Sequence, residues 1–133
     1  MTMRYYTLRV ARHTDNLEQL INFYQRIVGL SLLGRFEDHE SYSGAFLGLT
    51  GAQWHLEFTT SPHPPVHTTD PDDALVLYVN SQEELNDQRA TLERENIALV
   101  TNRNPYWNRH GITFRDPDGF LVIFAYPRLY PQV

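Results

Sequence analysis

Residues 5–30 read YYTLRVARHTDNLEQLINFYQRIVGL: a short alternating stretch, then a helical stripe, then a glycine stop. Tyr5 to Val10 is expected to form a strand. Leu17, Leu20, Ile21, Tyr24, Ile27 and Val28 recur at the spacing of one helical face, which puts a helix from about Asp15 to Val28. Asp15 with Glu18 three residues on reads as a capping box, and Gly29 fits the position just past a helix end. Strands are expected next near Leu30–Phe36, Ser43–Leu49 and Gln53–Thr59, the last two joined by a short turn at Thr50-Gly51-Ala52.

The same order returns downstream. Ala74–Asn80 reads as a buried strand. Ser81 with Glu84 is a second capping box, opening a helix to about Glu95 whose inner face carries Leu85 and Leu92. Strands follow at Ile97–Thr101, Gly111–Arg115 and Phe120–Tyr126. Asp116-Pro117-Asp118-Gly119 turns the chain between the last two, proline presetting φ and glycine accepting a positive one. Between the halves, residues 60–73 carry prolines at 62, 64, 65 and 71 and almost no large apolar side chain, so they form a linker. The expected organisation is one domain over 1–133, with a first module at 4–59, the linker at 60–73 and a second module at 74–126. Leu8-Arg9-Val10 corresponds to Leu77-Tyr78-Val79, and Trp54-His55-Leu56-Glu57-Phe58 to Phe120-Leu121-Val122-Ile123-Phe124. Each half is a βαβββ unit that cannot cover both faces of its sheet alone. The expected fold is therefore α+β, two βαβββ modules forming a cupped mixed sheet with helices outside.

Composition narrows the function classes. The 133 residues carry 11 basic and 16 acidic side chains, a formal charge of -5. Nucleic-acid binding and attraction to an anionic membrane both need a positive face, so neither partner is expected. The chain contains no cysteine, which excludes disulfides, thiolate metal sites and cysteine nucleophiles. The opening Met1-Thr2-Met3-Arg4-Tyr5-Tyr6 has no apolar signal core, and the expected compartment is the cytoplasm. No nucleophile elbow or phosphate-binding glycine loop is present.

The paired halves, Leu8-Arg9-Val10, Asp15 through Phe23-Tyr24 to Val28-Gly29-Leu30, and Asp116-Pro117-Asp118-Gly119-Phe120 resemble the vicinal oxygen chelate (VOC) superfamily. This is the glyoxalase/bleomycin resistance protein/dioxygenase superfamily, which also holds fosfomycin resistance proteins. The segment Asn104-Pro105-Tyr106-Trp107 is similar to its YycE-like branch. The resemblance covers nearly the whole chain and implies a homodimer. It also implies, for members with lyase or dioxygenase activity, one divalent metal held by histidine and carboxylate side chains from four strands. Those ligand positions fall here on Tyr5, Glu57, Ala74 and Ile123. Only Glu57 matches a family ligand, and a phenol is a poor substitute at neutral pH. No metal or other cofactor is therefore expected, with a divalent metal at a displaced site as the alternative.

Strand alternation then assigns the concave face. Tyr5, Thr7 and Arg9 point in from the first strand, with Tyr6, Leu8 and Val10 on the helix side. Gln53, His55 and Glu57 point in from the fourth strand, Ala74, Val76 and Tyr78 from the fifth, and Leu121, Ile123 and Ala125 from the eighth. The candidate ligand-binding residues are Tyr5, Arg9, His55, Glu57, Tyr78, Tyr106, Trp107 and Ile123. Polar groups against an apolar and aromatic wall suit a small molecule. The same residues fit a structural role: Glu57 can pair with Arg9 or His55, and Tyr106 and Trp107 can serve a core or a dimer interface. His13, His39, His63 and His67 read as surface or linker histidines, and His110 as a lesser candidate for the cavity. The expected function is metal-independent binding of a small molecule in the groove. The alternative is a metal-dependent glyoxalase-type lyase, isomerase or dioxygenase.

Overall fold

The protein is described by a computed structural model over residues 3–130. Met1 and Thr2 of the sequence opening, and the last three residues, lie outside the described part. The chain divides into two compact units, one ending at His67 and one beginning at Thr68.

The first unit runs β1 (Leu8–His13), α1 (Leu17–Arg26), β2 (Ser31–His39), β3 (Tyr42–Gly48) and β4 (Trp54–Thr60). Its strands order β1-β4-β3-β2, with β1 parallel to β4 and the rest antiparallel. The second unit runs β5 (Ala74–Tyr78), α2 (Gln82–Arg94), β6 (Leu99–Val100), α3 (Pro105–His110), β7 (Gly111–Arg115) and β8 (Leu121–Ala125). Its order, β5-β8-β7-β6 with β5 parallel to β8, repeats the first. The α+β class stands, with two βαβββ modules that each form a four-stranded mixed sheet.

In the first unit α1 lies over β2, β3 and β4. Leu20 and Tyr24 on α1 and Ala45 and Leu47 on β3 have no exposed surface, and Leu56 and Phe58 on β4 are buried with them. The Tyr24 and Phe58 rings lie 5.0 Å apart. Each fully buried large apolar side chain contributes about 1.5–3 kcal/mol, so this stripe holds the module together. Gly29 takes φ +85° just beyond the helix, as the sequence predicts.

Several local expectations change. The first strand is Leu8–His13, so Tyr5 precedes it and is 83% exposed. Leu8 and Val10 also stay exposed, because α1 sits over β2 to β4 and leaves the edge strand β1 uncovered. The capping box at Asp15 does not form. The N-cap is Asn16, whose side chain makes no cap bond; Thr14 Oγ1 accepts from the Asn16 N–H, and Glu18 turns to Arg35 instead. The second box is present in altered form: Ser81 Oγ accepts from Glu84 N–H, while Glu84 Oε2 accepts from Asn80 N–H.

In the second unit α2 packs on β7 and β8, and Phe114, Phe124 and Val122 are buried. The Asp116–Gly119 turn forms as expected, with Gly119 at φ +88°. Asp116 Oδ1 accepts from the N–H groups of Asp118 and Phe120, at 2.9 and 3.1 Å.

The helix α3 was not foreseen. Asn104 caps it by accepting from Tyr106 N–H, and Pro105 occupies its first turn. Asn102 and Asn108 brace it: Asn102 N–H donates to Asn108 Oδ1, and Asn108 Nδ2 donates back to Asn102 O.

Candidate functional site

The sheet face of the first unit away from α1 gathers three of the predicted residues. The register pairs Arg9 with His55 and Ala11 with Glu57 across β1 and β4. It pairs Phe46 with Glu57 and Gly48 with His55 across β3 and β4. Alternate residues share a face, so Arg9, Phe46, His55 and Glu57 converge.

The contacts are specific. Arg9 Nε–H donates to His55 Nε2 at 2.8 Å. His55 therefore accepts at Nε2, which leaves its neutral-ring proton on Nδ1. The Arg9 guanidinium lies over the Phe46 ring, 4.7 Å from its centroid, and His55 meets the same ring edge-on at 6.0 Å. Arg9 Nη1 stands 3.9 Å from Glu57 Oε2, an ion pair too long for a hydrogen bond. The Glu57 side chain is 16% exposed and that of Arg9 50%. Among the described residues, Glu57 accepts no side-chain hydrogen bond and the Arg9 Nη groups donate none. A charged acceptor and a charged donor set thus stand side by side with capacity unused.

Glycines shape this face. A Cβ on Gly44 would lie 2.7 Å from the Phe36 ring and 2.9 Å from Phe58 O; one on Gly48 would lie 3.1 Å from His55 Cβ. Phe46 was missed in the candidate set. The alternation Gly44, Phe46, Gly48 against Ala45 and Leu47 carried the signal, one face aromatic and glycine, the other small and aliphatic.

Tyr5 does not join this cluster, because it lies ahead of β1. On the second unit Tyr78 ends β5 and is 40% exposed. Tyr106 and Trp107 lie on α3, half-buried, with rings 5.0 Å apart, and the His110 ring meets that of Tyr106 at a tilt, centroids 4.6 Å apart. Ile123 has no exposed surface. α3 packs on β7 and β8, and Asn102 Nδ2 donates to Thr113 Oγ1, whose residue shares the face of Ile123.

His13, read from sequence as a surface residue, instead anchors the start of the linker. Its Nδ1 meets Thr59 Oγ1 at 2.8 Å, and its Nε2–H donates to His63 O at 2.8 Å. His67 Nε2–H donates to His13 O at 2.7 Å.

The strand order and the doubled module define a protein of the vicinal oxygen chelate superfamily. Solved structures agree: a trypanothione-dependent glyoxalase I from Leishmania major matches at TM-score 0.71 and 18% identity, covering 92% of this chain and 86% of that one. TnmS3, an antibiotic-binding protein from Streptomyces sp. CB03234, matches at TM-score 0.68 and 20% identity, covering 94% and 97%. At such identities the likeness shows the fold alone.

Within that superfamily the chain belongs to the YycE-like family. Residues 8–59 match the YycE-like N-terminal domain and residues 72–126 the YycE-like C-terminal domain. The YycE protein of Bacillus subtilis is 38% identical over 121 residues, covering 88% of this chain and 85% of that protein. A crystal structure of Bacillus subtilis YycE, described as of unknown function and placed with glyoxalase/fosfomycin resistance proteins, matches at TM-score 0.86 and 33% identity. It covers 96% of this chain and 94% of that one.

The superfamily's divalent metal does not fit the residues present. At its four ligand positions Ala74 and Ile123 have no donor atom, and Tyr5 is an exposed phenol outside the strand. His55, beside Glu57, has its Nε2 engaged by Arg9. Among the described residues no three His, Asp or Glu side chains stand together as a metal-binding group. No described helix is long and apolar enough to cross a membrane.

Proposed function

We propose that this protein binds a small organic molecule without a metal, on the sheet face bearing Arg9, Phe46, His55 and Glu57. The observation that carries the reading is Glu57, a carboxylate 16% exposed that among the described residues accepts no side-chain hydrogen bond, 3.9 Å from Arg9, whose Nη groups donate none to those residues. Polar groups left unpaired at partial burial cost stability unless a ligand or water meets them. Phe46 supplies an apolar, aromatic surface next to them. The antibiotic-binding relative lends the idea of sequestration without chemistry. Tyr78, Tyr106 and Trp107 are proposed as contact residues on the second module taken by itself, and Ile123, which has no exposed surface, as a packing residue of that module's sheet.

A homodimer is proposed as the working form. The place of β1 as an edge strand of its sheet, with Leu8 62% and Val10 43% exposed, supports it. Sedimentation equilibrium tests that part.

A thermal-shift screen of antibiotics and metabolites tests the binding reading. A ligand that prefers the native state raises the melting temperature. A hit is expected on the wild-type protein and not on Arg9→Ala or Glu57→Ala. Hits that survive both substitutions unchanged would move the site elsewhere.

A further inference from the structure

From the charge arrangement of this face we infer the class of ligand: a net-neutral molecule presenting an acceptor and a donor side by side, as on the edge of a primary amide, lactam or ureide. The inference rests on the binding reading above and sharpens it.

Arg9 and Glu57 bring opposite charges to one spot, and His55 adds none while its Nε2 accepts from Arg9 Nε–H. The pair is separated by 3.9 Å, so neither group satisfies the other. A carboxylate or phosphonate ligand could accept from the Arg9 Nη groups, but its charge would then sit beside Glu57. An ammonium or amidinium ligand could donate to Glu57, but its charge would sit beside Arg9. Glu57 is 16% exposed and Arg9 50%, so water screens the repulsion beside Glu57 only in part and that beside Arg9 more. An amide edge meets both demands: its carbonyl oxygen accepts from Arg9 Nη–H, and its N–H donates to a Glu57 oxygen. Neither contact needs a net charge on the ligand, and both are charge-assisted.

The apolar part of the ligand has a place as well. Phe46 lies on the same face, between Glu57 in register and Phe36, whose ring is 5.9 Å from that of Phe46. Gly44 leaves the space that the Phe36 ring fills. A planar or apolar body attached to the amide would lie along this aromatic row.

Three isosteric probes test the inference: benzamide, benzoate and benzamidine. They share a ring and differ only in whether the polar end offers donor and acceptor, acceptor alone with negative charge, or donor alone with positive charge. Each is titrated into the wild-type protein at neutral pH, followed by amide and ring shifts in two-dimensional NMR. Benzamide is expected to bind about tenfold or more tightly than either ion, with shifts centred on Arg9, Phe46, His55 and Glu57. Glu57→Gln should raise benzoate affinity, because the repelling charge is gone, and Arg9→Gln should raise benzamidine affinity. If benzoate or benzamidine binds wild type best at these residues, the neutral-ligand inference is overturned and the site survives. If no probe shifts these residues at millimolar concentration, the site itself is overturned.

Discussion

Arg9 and His55, partners in register on neighbouring parallel strands, are joined by a hydrogen bond from Arg9 Nε–H to His55 Nε2 at 2.8 Å. An arginine can only donate, so His55 must accept at that nitrogen. The neutral ring is expected as the Nδ1–H tautomer, which nitrogen-15 shifts of the imidazole report directly. In Arg9→Gln the preference should relax toward a tautomer mixture. A wild-type ring protonated at Nε2 would break the arrangement described for this face.

Gly44 is required by packing and not by its backbone angle. A methyl group there would stand 2.7 Å from the Phe36 ring and 2.9 Å from Phe58 O. Gly44→Ala is expected to destabilise the fold by about 1–3 kcal/mol, the usual cost of overpacking. Urea denaturation measures it, and an unchanged midpoint would show that Phe36 moves aside freely.

Asp116 holds the β7–β8 hairpin through two backbone N–H groups while itself 5% exposed. Asp116→Ala leaves those donors unmet and should cost about 1–3 kcal/mol. Asp116→Asn keeps an acceptor oxygen and should cost less. Equal losses from both would assign the effect to charge and not to the turn bonds.

The Glu18–Arg35 pair on the surface of the first unit gives a pH-dependent term. The hydrogen bond from Arg35 Nη2 to Glu18 Oε1, at 2.5 Å, holds the carboxyl below its usual pKa. A lowered folded-state pKa means the stabilisation is present above the unfolded carboxyl value. It is lost as pH falls through the folded one. Glu18→Gln should therefore lower the melting temperature slightly at neutral pH and leave it unchanged in strong acid. Because both groups are exposed, molar salt should also erase the difference. A deficit that persists in acid would point to packing.

How much of this was legible in the sequence differs between elements. The module order was, because apolar periodicity and the turns at Gly29 and Asp116–Gly119 are local signals. The grouping of Arg9, His55 and Glu57 was also legible, since strand alternation needs only the strand identities. The start of β1 was not: Tyr5 and Tyr6 have strand propensity, but pairing with β4 begins at Leu8 opposite Trp54, and partners decide where a strand starts. α3 left a readable trace, Asn104-Pro105, the residue types of a helix N-cap and first turn. The role of His13 was hidden, because its bonds reach across 46 and 50 residues to Thr59 and His63. Removing it by His13→Phe should loosen residues 61–67 and cost about 1–2 kcal/mol, with faster proteolytic cleavage in that segment as the direct readout.

Glu57 is proposed to serve an organic ligand and not a cation, and a calorimetric titration of the purified protein with zinc, nickel, manganese and iron(II) tests this most directly. No stoichiometric binding is expected, with Glu57→Gln indistinguishable from wild type. One tightly bound ion per chain, lost in Glu57→Gln, would contradict it.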